Sequence, residues 1–309
     1  MQIANRKSRL LRRIGRHYEL YLFLLPAVIY LILMCYVPMA GVLIAFKNYK
    51  PRAGIFGSEW VGMKHFIRLF NMANFGRYMK NTVTLSLYSL LAGFPLPVLL
   101  ALAINTSPYR RLNKVVQLIT YAPHFISVVV IVSMVNVFFS PTTGVIFGIL
   151  NRLNLIEGSL DILLKPQSFP HLYVWTGVWQ EIGWGSIIYL GALSGVDSDL
   201  HEAALIDGAN RWQRVLHIDI PAIVPTIIIM FILRSGSIMN VGFEKVFLMQ
   251  NSANISTSEV LSTYTYSAGI KDGQYSFAAA MGLFNSLVNF CIVMLVNYIS
   301  GRVSETSLW

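Results

Sequence analysis

The chain has 309 residues, of which 55% are hydrophobic and only 12% charged, with a formal net charge of +10. Soluble globular domains carry about 25% charged residues, so this composition excludes an ordinary soluble domain and points to a membrane protein. Two cysteines, Cys35 and Cys291, make no disulfide framework; both fall in apolar runs and read as small core residues.

The chain opens on a basic leader (Arg6, Lys7, Arg9, Arg12, Arg13, Arg16) followed by an uncharged run from Leu20 to Phe46. That run is too long for a signal peptide's apolar segment and no small-x-small site closes it, so it is read as a retained span. Beside a membrane, the leader's charge is explained by anionic headgroups, and no nucleic-acid module is present. The next stretch, 47–81, places Trp60, Met63, Phe66, Ile67 and Phe70 at three- and four-residue steps. This pattern describes a helix that either lies on the membrane surface or packs on the bundle.

Further uncharged runs cover Asn81–Tyr109, Val115–Asn151 and Gly273–Gly301, while Pro166–Val196 carries only Glu181 and Ile220–Phe243 only Arg234. A spanning helix needs about 20 such residues. The expected spans are 20–46, 82–105, 115–139, 170–193, 220–241 and 277–299: an all-α integral membrane protein with six transmembrane helices. A basic segment (1–19) would precede one transmembrane domain (20–301), with a tail at 302–309. The dense leader places both termini, and the charged 197–221 loop, in the cytoplasm.

Polar groups inside spans are functional candidates by default. Glu181 follows Trp175 and Trp179, which lie four apart on one helix face; they fit either sugar stacking or an interfacial aromatic belt. Asn136, Asn285 and Asn289 fit either substrate contact or polar glue between helices. Arg234 either faces a cavity, attracting acidic sugars, or pairs with Glu181 or Glu244. Asn240 and Glu244 join the same candidate set. His124 is read as structural. No cluster resembles a catalytic or metal site.

The 199–221 island interrupts this apolar pattern. Asp199 is the expected N-cap, with Glu202 closing a capping box, and Gly208 a left-handed stop. Asn210 with Gln213 offers a second start, and Pro221 suits the first turn of the following span. Two short helices meeting at a glycine corner serve either as a connector or as a docking element.

The spacing of Glu202, Ala203, Ala204, Gly208, Ile218, Ile220 and Pro221 resembles the signature loop of permease subunits of bacterial ATP-binding cassette (ABC) importers; Ile220 stands where that family usually has Leu. Trp60-Val61-Gly62 with Phe66 resembles the external segment common to sugar-uptake permeases, and residues 81–105, Tyr121–Ser127, Gly242–Asn251 and Ser307-Leu308-Trp309 resemble the lipoprotein-dependent branch for polysaccharide-derived oligosaccharides. The resemblance implies a type I importer permease fold. It also implies a cytoplasmic coupling helix using Glu202, Ala203, Ala204, Asp207, Gly208, Ala209, Arg211 and Pro221. The implied partners are a second homologous permease, two ATPase subunits and an extracellular solute-binding lipoprotein. ATP and Mg would reside on the ATPases, and this chain has no phosphate-binding Gly-rich loop of its own. The implied cargo is an oligosaccharide, possibly a uronate-containing plant cell-wall fragment. Neutral oligosaccharides or glycerol-phosphate-type solutes are the nearest alternatives. A stand-alone secondary transporter or an intramembrane enzyme is more distant, lacking inverted repeats or clustered titratable groups.

Overall fold

The computed structural model describes residues 18–155, 159–304 and 307. The basic leader and the terminal Leu308-Trp309 lie outside the described residues. The chain divides into two compact units.

The described residues up to Phe70, with Ala268–Leu283, form the first unit. Its long helix α1, Tyr18–Phe46, passes through a π turn at Leu31–Tyr36 and ends as a tight 3₁₀ segment over Ala40–Phe46. Pro38 explains the π turn: its ring would press on the carbonyl four residues back, and a widened turn relieves that clash. No residue from 18 to 40 is buried within the chain, so this helix is apolar yet almost wholly unpartnered. A minimal antiparallel pair, β1 (Lys47–Asn48) and β2 (Glu59–Trp60), follows it in a chain expected to be wholly helical.

Trp60 therefore belongs to a strand and stacks on Phe46 at 5.6 Å. The helix expected nearby is α2, Lys64–Phe70, and it buries Phe66 and Leu69 while Met63 before it, Ile67 and Phe70 stay exposed. Phe66 joins Ala45 and Ala280 in a small core. The amphipathic stripe thus splits: its inner part packs on the bundle, and its outer part remains an exposed apolar face.

The second unit comprises Asn71–Ser267 and the described residues from Phe284 onward. It holds α3 (Phe75–Thr106), α4 (Arg110–Phe125), α5 (Val128–Phe138), α6 (Val145–Arg152), α7 (Ser168–Leu193), α8 (Ser198–Ile206), α9 (Arg211–Ser235) and α10 (Phe243–Met249). Helix α11, Tyr275–Ser304, begins in the first unit and ends in the second.

Four of the described helices, α1, α3, α9 and α11, are long and apolar enough to cross a membrane, or five spans if the bent pair α4–α5 is counted as one. That pair corrects the expected straight span at 115–139. The two helices meet at 101°, because Pro123 tightens the chain into a 3₁₀ turn and the Ser127 hydroxyl then caps α5 by accepting from Val130 N–H. The sixth expected span is α7. Its 26 residues reach about 39 Å, enough for a hydrocarbon core of about 30 Å. Three tryptophans, Gln180 and Glu181 make it more polar than the others.

Helix α7 is the pillar of this unit, packing on α3, α4 and α9. A Cβ at Gly183 would overlap the Thr120 carbonyl, so glycine permits the close approach of α7 and α4. Lipid tails are as apolar as Leu, so such small-residue contacts do much of the work of holding membrane helices together. One core gathers Leu85, Val132, Val135, Phe169 and Val246; another gathers Ala101, Tyr189, Val215 and Ile223. Cys35 and Cys291 are free and exposed on helix surfaces, not the core residues expected from their apolar neighbours.

Candidate functional site

Helices α3, α5, α7, α9 and α10 line a cavity of about 440 Å³, with Tyr173, Gln180, Glu181, Arg234, Glu244 and Lys245 as its polar lining. A second cavity of about 170 Å³ also touches Arg234 and Tyr173 and adds Ser237 and Asn240.

The charges in this region are unevenly satisfied. Glu181 is held by His124, whose Nδ1 lies 3.1 Å from Oε2, and the His124 ring stacks flat on Trp184 at 4.3 Å. Two residues far apart in sequence are thus brought together, and His124 positions a cavity carboxylate. Lys245 is buried; its Nζ donates to the Tyr173 carbonyl at 2.9 Å and lies 5.1 Å from that ring's centre. Arg234 makes no ion pair among the described residues. Neither Glu181 nor Glu244 takes the pairing role considered for them, and a guanidinium lines the cavity without a carboxylate partner.

The other candidates separate. Trp175 donates Nε1–H to Tyr88 Oη at 2.9 Å, and neither Trp175 nor Trp179 lines the cavity. Asn136 is exposed on α5, away from both cavities. Asn289 is buried and accepts from Met239 N–H, which makes it polar glue. Asn285 donates to Asn240 at 2.7 Å, bridging α11 to the turn after α9. Sequence reasoning did not single out Lys245, Tyr173 or Gln180. A lysine followed by Val246, Phe247, Leu248 and Met249 was the available signal.

Lys245 lies beyond the end of α9, and burial pushes its pKa down from 10.5 to about 8, opposed by attraction to Glu181. Above that pH the folded chain loses a proton that the unfolded chain keeps up to about 10.5. Folding stability from this group therefore rises with pH across that window, while attraction for an anion falls. An anionic ligand in this cavity should be held about threefold to fivefold more weakly at pH 9 than at pH 7, the worth of one ion pair. The affinity for an anionic ligand measured across this range should show that slope in the native chain and none in Lys245→Met.

The charged island folds as two helical starts about a corner. Asp197, rather than Asp199, caps α8 by accepting from Asp199 N–H at 3.0 Å. Asp197 adopts the extended backbone an N-cap requires, whereas Asp199 is already helical, so no capping box closes through Glu202. At the other end the Gly208 N–H donates to Leu205 O and Ala209 N–H to Ala204 O at 2.8 Å, a Schellman closure with Gly208 at φ +78°.

Asn210 and Gln213 then form the expected capping box, with bonds of 3.0 and 2.7 Å. This box starts α9 at Arg211, so Pro221 lies inside a continuous helix and not in its first turn. A π turn at Val215–Asp219 sits directly ahead of Pro221, the same remedy used ahead of Pro38. Glu202, Ala203, Asp207, Gly208, Arg211 and Pro221 are exposed; Ala204 and Ala209 are partly covered. Around them Ile206 is 87% and Trp212 77% exposed, with Leu200, Leu205 and Leu216 also uncovered.

Residues 93–305 match the family model of the binding-protein-dependent transport system inner membrane component. The chain belongs to this family. It is a permease component of an ABC importer, embedded in the membrane and serving transport, not catalysis. Among its relatives is the polygalacturonan/rhamnogalacturonan transport system permease protein YteP of Bacillus subtilis, 41% identical over 98% of this chain and 94% of that protein. The crystal structure of a bacterial ABC transporter that imports the acidic polysaccharide alginate contains a chain 40% identical, with a TM-score of 0.88 over 96% of this permease and 99% of that chain. A related structure, in complex with an alginate pentasaccharide-bound periplasmic protein, gives 0.89 over 97% and 100%.

Proposed function

We propose that this permease forms one half of an oligosaccharide pathway whose cargo is acidic, of the uronate-containing kind released from plant cell-wall or similar polysaccharides. The observation that carries this reading is Arg234: a guanidinium lining a cavity inside the membrane unit, unpaired among the described residues, with Lys245 on the same lining. A charge placed in a span costs about 2.5–3.5 kcal/mol, and a carboxylate-bearing cargo supplies the missing counter-ion. The names of the similar proteins, a polygalacturonan permease and an alginate importer, support the same class.

In the assembled machine a second homologous permease completes the pathway, two ATPase subunits bind below, and a solute-binding lipoprotein delivers cargo from outside. Both termini and the 197–221 loop face the cytoplasm. The exposed apolar surface of Leu205, Ile206 and Trp212 beside Glu202 and Asp207 is the docking face for an ATPase subunit. Alternating access then follows from differential contacts, the lipoprotein favouring one state and ATP the other. Proteoliposomes holding both permeases and the ATPases, supplied with lipoprotein and ATP, should accumulate a labelled oligogalacturonide and not a neutral oligosaccharide of equal length. Uptake without ATP, or equal uptake of both sugars, would contradict the reading.

A further inference from the structure

Three elements of the second unit meet at one carboxylate. Asp219 is 2% exposed, the most thoroughly buried acidic side chain among the described residues. Its Oδ1 accepts from Asn105 Nδ2 at 3.3 Å and lies 3.4 Å from His201 Nε2. Asn105 stands in the last turn of α3, His201 on α8 of the charged island, and Asp219 at the end of the π turn in α9. Asn105, His201 and Asp219 line a cavity of about 250 Å³ with Arg211 and Arg214.

The π turn is what makes this meeting possible. One extra residue in a turn rotates everything beyond it by about 100°. A regular α-helix through Val215–Asp219 would therefore direct the carboxylate to another side. Burying a carboxylate is costly unless it is hydrogen-bonded, so His201 and Asn105 each gain a strong acceptor there. The chain itself joins α8 to α9 through the exposed corner at Gly208, which only its own local hydrogen bonds close, from Gly208 to Leu205 and from Ala209 to Ala204.

We infer that His201, Asp219 and Asn105 are positioning residues that clamp the island's first helix to the ends of α3 and α9, so that a push on the island moves those helices instead of swinging α8 about its glycine corner. The inference rests on the reading of the island as the ATPase docking element. None of the three residues touches cargo or nucleotide; they act through the rigidity of the angle between α8 and α9.

The test uses the assembled transporter in liposomes and compares ATP hydrolysis with and without cargo-loaded lipoprotein. His201→Leu removes the donor and should lower the stimulated rate about fivefold or more, the range of a typical coupling energy, while basal hydrolysis and assembly stay unchanged. His201→Gln carries an amide N–H to nearly the same place and should recover most of the stimulation, a rescue that mere space-filling would not give. Asn105→Leu probes the third arm and decides the matter if His201→Leu fails to assemble. Unchanged stimulation in both leucine variants overturns the clamp if Gly208→Val still lowers stimulation. If Gly208→Val is equally silent, the docking reading fails and the clamp with it.

Discussion

Gly208→Val, carried in the complete transporter, should reduce cargo-stimulated ATP hydrolysis by about fivefold to thirtyfold while leaving membrane insertion intact. Gly208 sits at φ +78° with no atom within 4 Å of where a Cβ would stand. The cost of a side chain there is therefore conformational, not steric with neighbours. The left-handed region costs an L-residue about 1–2 kcal/mol, and a β-branched residue suits it least. A penalty of that size shifts a two-state balance by about 5–30-fold, enough to depopulate the corner that joins α8 to α9. Losing it also unmakes the two closing hydrogen bonds from Gly208 and Ala209. Gly208→Asn, the residue best tolerated in this backbone region after glycine, should keep most of the stimulation. Comparable losses for Asn and Val would show that the backbone geometry is not what the partner reads.

What could be read without coordinates was whatever depends on near neighbours in the chain. The Gly208 stop and the Asn210–Gln213 box need only residues three to five apart, and both are found. The N-cap of α8 slipped by two residues because Asp197, Ser198 and Asp199 are all competent, and the choice falls where the backbone leaves α7 in an extended conformation. Hydropathy located the spans but not their bends. It averages over windows longer than a turn, so it passes through Pro123 and Ser127 without registering the 101° angle, and through Pro221 without registering that α9 begins ten residues earlier. The cavity was the least legible part. Arg234 could be nominated by its position in an apolar run, but the pairing that frees it, His124 with Glu181, joins residues 57 apart in the chain. Lys245 was lost among loop cations because only packing against Tyr173 reveals that it points inward.

Arg234→Ala is expected to raise the transport KM for a uronate oligosaccharide by about tenfold to a hundredfold. That is the range for removing a hydrogen bond to a charged group, about 1.5–3 kcal/mol. The same variant should transport a neutral oligosaccharide of equal length no worse than the native chain, because no protein carboxylate among the described residues depends on this guanidinium. A structural arginine would behave differently. Its removal would strand a buried partner and damage the fold for every cargo alike, whereas removing an unpaired charge from a span relieves a desolvation cost. Thermal stability of the purified chain should therefore hold or rise in Arg234→Ala. Arg234→Lys separates charge from geometry: an ammonium keeps the attraction but lacks the planar fork that grips a carboxylate with two N–H groups. Its KM should fall between those of the native chain and Arg234→Ala for the uronate, and match both for the neutral sugar. Equal losses for acidic and neutral cargo would assign Arg234 to the architecture of the bundle and leave Lys245 as the cation that selects the cargo.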